Sequence, residues 1–314
     1  MNTGLPRVSI GMPIYNEGKF LRQALDSLLA QDFADFELII SDNASEDATQ
    51  QICLDYATKD PRIRYYRNET NLGPIENFNR VFRLSSGKYF MWASGHDLWA
   101  PTFISRCVGV LEKDPSVVPC YPRTQYIVET GKQLGVVDST LDTRNCTLLG
   151  RFNLTVWDPA PAYKFYGVSR SNSLRQTRLV RRVWAPDTVL LSELSILGSF
   201  ANIPEPLFYA RDKWGELVAR PITYNYRKRY FERLFPGKKN RFVQFFPHAG
   251  IAYEQLGAVM HARLGFRAKI PLITVVVLGW LYKSLPLILR RPLRGFLRRL
   301  LRIISVPSRS GQVA

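Results

Sequence analysis

The chain has 314 residues, 46% of them apolar, and a formal charge of +17; that length supports one sizeable core plus an appendage. Its four cysteines, Cys53, Cys107, Cys120 and Cys146, show no C-x-x-C spacing, which excludes a zinc ribbon or a redox motif and fits reduced thiols in the cytoplasm. Met1 to Arg7 has no apolar h-region, so a secretory signal is not expected.

Residues 1 to about 120 alternate short strand-like and helix-like runs: Val8–Ile14, Phe20–Leu29, Phe36–Ile40, Thr49–Tyr56, Ile63–Tyr66, Ile75–Leu84, Tyr89–Ala93 and Phe103–Leu111. Such alternation predicts an α/β fold, a mostly parallel Rossmann-like sheet flanked by helices. Gly11-Met12-Pro13-Ile14-Tyr15-Asn16-Glu17 follows the first strand, and Ser41-Asp42-Asn43-Ala44-Ser45 follows the second. Both therefore emerge at the carboxyl ends of strands, where open α/β sheets bind ligands. Neither G-x-G-x-x-G nor G-x-x-x-x-G-K-[ST] occurs at this position, which argues against an ordinary dehydrogenase or P-loop NTPase. Tyr15 is suited to stack on a base, and Asp42 to accept a hydrogen bond from its imide or from the ribose. Two polar strand-to-helix turns without a ligand are the alternative.

This pair of motifs resembles the start of glycosyltransferase family 2. The resemblance implies a GT-A type fold in which Pro13, Tyr15 and Glu17, together with Asp42, hold the nucleotide of a sugar donor. Arg67-Asn68 and Asn71-Leu72-Gly73-Pro74 with Asn77-Phe78-Asn79 look like the segment that packs near the donor in that family. Asn71 is thus a donor-site candidate, although Gly73-Pro74 equally suits a tight turn into a helix. Ser94-Gly95-His96-Asp97, four residues ahead of a proline at 101, stands where relatives carry an acidic metal-binding cluster, and Asp97 is its one remaining acid. Asp97 and His96 are accordingly the candidate donor-site and metal ligands, a set that tolerates manganese better than magnesium. The other assignment makes Asp97 a cap for the helix near Pro101, with His96 exposed.

Beyond residue 120 the alternation loosens. Asp158-Pro159-Ala160-Pro161-Ala162-Tyr163 falls in what the family makes its acceptor half. Ala185-Pro186-Asp187 then opens a helix ending near Gly198, followed by an extended Ile203–Arg211. The resemblance implies that Asp187 is the catalytic base of an inverting transfer; an acid that stabilises a helix N-terminus is the alternative. The expected organisation is a catalytic domain over 1–212, divided into a donor half 1–120 and an acceptor half 121–212, with a basic, hydrophobic helical appendage over 213–314.

That appendage carries the charge. No acid follows Glu254, whereas Arg290, Arg291, Arg294, Arg298, Arg299 and Arg302 would share one side of a helix opposite Leu293, Phe296, Leu297, Leu300, Ile303 and Ile304. This is the pattern of a membrane-surface helix; a helix packed on its own catalytic domain is the alternative. Ile270–Leu289 is just long enough to span a bilayer, but its uninterrupted apolar part is short, so an interfacial or re-entrant segment is expected before a span. Tyr224–Tyr230 extends the same basic aromatic character. Cations beside apolar sequence argue against nucleic-acid binding.

The composite expectation is a glycosyltransferase at the cytoplasmic face of an anionic membrane, acting in cell-surface glycan or polysaccharide synthesis. It would take a nucleotide-sugar donor, a glycan or lipid-linked acceptor and a divalent metal (Mn or Mg). A non-catalytic nucleotide-sugar-binding or scaffold relative is the alternative. Sugar, base, acceptor and oligomeric state are not legible.

Overall fold

The structure is a computed structural model that describes residues 4–137, 140–158, 163–212, 232 and 247–285. Its elements in chain order are β1 Val8–Ile14, α1 Leu21–Leu29, β2 Phe36–Asp42, α2 Thr49–Ala57, β3 Ile63–Arg67, α3 Pro74–Arg83, β4 Tyr89–Trp92, β5 Leu98–Trp99 and α4 Phe103–Lys113. There follow β6 Val117–Ile127, β7 Gln133–Val137, α5 Leu148–Trp157, a 3-10 turn Tyr163–Tyr166, β8 Val168–Arg170 and α6 Ser171–Leu174. The last are α7 Pro186–Leu197, β9 Ser199–Arg211, α8 Pro247–His261 and α9 Phe266–Ser284.

Among the described residues the strands form one sheet in the order β3-β2-β1-β4-β8-β6-β9-β5, with β7 added to β6. The first four run parallel, as the alternation predicts. β2 is buried along its whole length, Glu37, Ser41 and Asp42 included, which is why its centre Leu38–Ile40 runs apolar without alternating. β1 lies between β2 and β4, so the chain reverses its direction of travel across the sheet there. That reversal opens the crevice in which such sheets bind ligands.

The second half of the sheet is mixed. β8 is antiparallel to both β4 and β6, β5 is antiparallel to β9, and β6 runs parallel to β9. The turn between β6 and β7 is too short for a crossover, so β7 must return antiparallel. Register shifts in the β6–β9 ladder fall around Pro122 and Arg123, where a proline has no N–H to give.

The sheet is covered on both faces. α1 contributes Leu21, Ala24, Leu25 and Leu28, a helical stripe, to a core shared with α2 and α4. α3 and α7 pack on the opposite face through Ile75, Val81, Phe82, Leu190, Leu191 and Leu194. A third apolar cluster joins α5 to α8 and α9 through Phe152, Val156, Val259, Leu272, Val275 and Val276. The hydrophobic stretch expected from Ile270 is thus α9, half of whose circumference is packed on protein. No helix among the described residues is long and apolar enough to cross a membrane. The arginine-rich run 290–302, residues 286–289 and the Tyr224–Tyr230 region lie outside the described residues.

Candidate active site

The two loops after β1 and β2 are built as one unit. Asn16 takes a left-handed conformation (φ 53°) and so does Ala44 (φ 61°); for an alanine this costs about 1–2 kcal/mol. Strain of that kind persists only where the surroundings fix it. Here the Asn16 N–H donates to Ser45 Oγ at 2.9 Å, and Glu46 N–H donates to Asn16 Oδ1 at 2.9 Å. Glu17 N–H reaches Thr49 Oγ1 at 2.8 Å, and Gly18 N–H reaches Asp47 Oδ2 at 2.9 Å. The ring of Tyr15 is left 43% exposed at the crevice, while Pro13 is partly buried in β1 beside Ser41.

Asp42 occupies the end of β2 with no exposed surface. Its Oδ1 accepts the Ser45 N–H at 2.9 Å, and its Oδ2 accepts the Tyr65 hydroxyl at 2.9 Å and Arg67 Nη1 at 2.6 Å. Arg67 also donates to the Ser45 carbonyl at 2.8 Å. The carboxylate therefore organises the pocket wall, and a base or ribose would reach it by taking the place of Tyr65 or Arg67. Burial, followed by the hydrogen bond to Asp42, pushes the Tyr65 hydroxyl pKa well above its ordinary value, which keeps it a donor. Sequence reasoning placed Arg67 only in the segment that packs near the donor and did not single out Tyr65. Their position at the end of β3, beside β2, was the available signal.

Asn71 lies in a network of amides. Its Oδ1 accepts from Asn43 Nδ2 at 2.7 Å and from the Gly73 N–H at 2.8 Å. Asn43 Oδ1 in turn accepts from Asn68 Nδ2 and the Leu72 N–H, both at 2.9 Å. Asn77 holds Ser41 through both its amide groups, at 2.6 and 2.8 Å. Gly73 (φ 80°) and Pro74 then start α3, the turn that the dipeptide predicts.

The acid motif is split between partners. Asp97 is 4% exposed; it accepts the Ser94 hydroxyl on Oδ2 and the Arg211 N–H on Oδ1 at 2.8 Å. His96 Nδ1 lies 3.2 Å from Glu17 Oε1, so the first and third motifs meet through their side chains. A Cβ on Gly95 would come within 2.8 Å of Glu17 Cγ, so this approach needs glycine. Among the described residues no group of three or more His, Cys, Asp or Glu converges on a point. A carboxylate oxygen has two lone pairs, so Asp97 retains capacity for one bond to a cation whose remaining ligands are imidazole, diphosphate oxygens and water.

Arg211 carries this motif and was not anticipated as a site residue. It is 3% exposed, donates to the carbonyls of His96 (2.8 Å), Glu129 (2.6 Å) and Val128 (3.3 Å) and to Gln23 Oε1 (2.8 Å), and lies over the Phe20 ring at 4.5 Å. Burial pulls its pKa below the ordinary arginine value. A cation buried against carbonyls, as the last residue of a return strand, was the feature to notice.

Asp187 sits in the first turn of α7 after Ala185 (φ 52°), a left-handed alanine directly ahead of Pro186. A proline disfavours the α regions for its predecessor, so this entry is strained by construction. Burial pushes the Asp187 carboxyl pKa up, opposed by the N–H groups of Thr188 and Asp187 and by the charge of Lys164. Lys164 is itself buried and pairs with Asp158 at 2.6 Å. Its neighbour Tyr163 has a hydroxyl pKa raised first by burial, then by Tyr126 and by the charge of Asp97. The 3-10 turn Tyr163–Tyr166 packs on both β4 and α7, and so links the strand ahead of the acid motif to the helix that carries Asp187.

Residues 9–155 match the family model described as Glycosyl transferase family 2. An uncharacterized glycosyltransferase of Haemophilus influenzae is 29% identical over 212 residues, covering 64% of this chain and 64% of that protein. One of Rickettsia typhi is 38% identical over 112 residues, covering 36% of this chain and 34% of that protein. These matches thus span from about a third to two thirds of the relatives' lengths. Among solved structures, S. aureus TarS 1–349 superposes with a TM-score of 0.63 at 17% identity, over 88% of this chain and 72% of that one. The same protein in complex with UDP-GlcNAc gives 0.61 at 17% identity, over 86% and 71%. Mannosyltransferase PcManGT from Pyrobaculum calidifontis, in complex with GDP-Man and Mn2+, gives 0.52 at 17% identity, over 88% and 81%. At such identities the likeness shows the shared GT-A fold.

Proposed function

We propose that this chain, which belongs to glycosyltransferase family 2 through residues 9–155, transfers a sugar from a nucleoside-diphosphate donor to an acceptor hydroxyl with inversion at the anomeric carbon. The observation that carries the proposal is the meeting of the β1 and β2 loops with the acid motif at the switch point of the sheet; Asp187 joins them in this reading through the turn at Tyr163, whose Lys164 acts on it. The nucleotide complexes of the two structural neighbours support a nucleotide-sugar as donor.

In this reading the half-exposed Tyr15 ring stacks on the base, and Asp42, Tyr65 and Arg67 form the polar wall against which it rests. Glu17 and His96 close the side of the pocket toward the diphosphate. Asp187 takes the acceptor proton as the hydroxyl attacks. A carboxylate whose pKa is raised by burial is a stronger base than a solvated one. Direct attack needs no covalent intermediate. A divalent ion, held by Asp97 and His96, would supply charge stabilisation to the departing diphosphate; the Mn2+ of the mannosyltransferase neighbour supports its inclusion.

The finer assignment is synthesis of a cell-surface glycan or polysaccharide at the cytoplasmic face of an anionic membrane, on a glycan or lipid-linked acceptor. The absence of any acid after Glu254 in a chain of charge +17 supports the membrane part. Calorimetric titration with UDP, GDP and dTDP tests the donor site: micromolar-scale binding of one of them is expected, and no heat with any, with or without Mn2+, would overturn it.

A further inference from the structure

We propose that the exposed face of α9 is a docking surface for an anionic lipid bilayer, on which the helix lies in the plane of the interface. The inference rests on the membrane reading above and adds the residues and the orientation. Phe266, Ile270, Val277, Trp280 and Leu281 are 38–74% exposed. At about 100° per residue they fall within one stripe, opposite Leu272, Val275, Val276 and Gly279, which are buried against α5 and α8. α9 thus has two apolar faces and uses only one to hold itself to the protein. A stripe of large side chains running the length of a helix differs from the scattered exposed apolar residues of an ordinary surface.

Charge selects the occupant. On the same helical projection Arg267 and Lys269 flank the stripe on its two sides, and Lys269 also donates to the carbonyl of Met260, another exposed apolar residue. No acid occurs in the sequence after Glu254, while seven arginines follow residue 286. A segment of that composition repels a second copy of itself and attracts anionic headgroups. Trp280, with an apolar body and an N–H, is suited to the headgroup boundary.

The docking face also connects to the site. The Tyr282 ring packs 5.2 Å from Trp157, and Lys283 Nζ donates to the Val156 carbonyl at 2.9 Å. The next residue, Asp158, pairs with Lys164, whose charge acts on Asp187. A short run of contacts thus leads from α9 to Lys164, and the charge of Lys164 carries it to the candidate base. Docking would hold the acceptor half of the site at the lipid surface, which favours an acceptor hydroxyl borne by a membrane amphiphile.

The full chain is tested with phosphatidylglycerol/phosphatidylcholine vesicles by co-sedimentation, and by quenching of tryptophan fluorescence with brominated lipid. We expect binding that grows with the anionic fraction, a quenchable component that disappears in Trp280→Phe, and binding weakened at least tenfold in Val277→Glu. Nucleoside-diphosphate affinity, measured in parallel, should be unchanged in both variants; its absence in the parent chain would sink the donor reading while leaving the docking result intact. Vesicle binding or quenching indifferent to both substitutions would place the contact elsewhere and overturn the proposal. So would a dimer in solution that Val277→Glu dissociates, in the absence of vesicle binding.

Discussion

Replacing Arg211 with methionine removes the guanidinium while keeping an apolar stem of similar length. Four hydrogen bonds from the charged group are lost, to His96, Val128 and Glu129 carbonyls and to Gln23, together with its contact on Phe20. At about 1.5–3 kcal/mol each, bonds from a charged donor would total about 6–12 kcal/mol. The group is desolvated, however, as its lowered pKa records, and its removal relieves that cost. A net loss of about 3–5 kcal/mol is the range for breaking a buried charged network. Because one of the four carbonyl and amide acceptors belongs to His96, the loop 94–97 should lose part of its fixed position as well, although the main-chain N–H of residue 211 still holds Asp97 in the variant. Urea unfolding reads the first effect, and nucleoside-diphosphate calorimetry of the folded variant reads the second, as an affinity at least tenfold weaker. A destabilised Arg211→Met that binds nucleotide at full strength would refute the positioning role and leave Arg211 a purely structural residue.

For Asp42→Ala, donor affinity should be lost and stability should fall by about 2–3 kcal/mol, since Arg67 and Tyr65 lose their acceptor; calorimetry paired with urea unfolding separates the two, and unaltered affinity removes Asp42 from the donor site. Gly95→Ala should weaken donor binding without unfolding the chain, because its Cβ would displace Glu17 from His96; normal binding would show that this contact is dispensable. Asp187→Asn should cut turnover by about two orders of magnitude with donor affinity unchanged. The Asp187 pKa is raised in the folded state, so its ionisation opposes folding as pH rises through and above the ordinary carboxylate value. The asparagine variant should accordingly unfold at an equal or higher temperature than the parent at pH 8, and a clearly lower one contradicts the direction of that shift. In the parent, kcat/KM should fall on acidification with a midpoint above the ordinary carboxylate range.

The parallel half of the fold was legible because β1, β2 and β4 hold short apolar runs and the elements are punctuated by Pro and Gly, and the boundaries of α7 followed from Pro186 and Gly198. The antiparallel half was not, since β8 has three residues and β5 two, too few to carry a period. In the site, the residues that face the crevice with an unusual type at a strand end, Tyr15, Glu17 and His96, were readable as such. The contacts that hold the site by opposing burial with partners distant in sequence, Arg67 to Asp42 and Arg211 to the carbonyls around His96, were not. Their partners lie 25 and 115 residues away, beyond the reach of any local pattern. Lys164 escaped for the same reason, because its roles toward Asp158 and Asp187 exist only once the Tyr163–Tyr166 turn is folded.

Release of nucleoside diphosphate from a panel of UDP-, GDP- and dTDP-sugars, followed with Mn2+ in the presence of anionic vesicles carrying membrane-extracted acceptor, tests the central claim most directly. Donor-specific release by the parent chain, reduced about a hundredfold in Asp187→Asn at equal donor affinity, is the predicted result. Donor binding with no release from any sugar, or release at the same rate in Asp187→Asn, would contradict the assignment of Asp187 as the base of a glycosyl transfer.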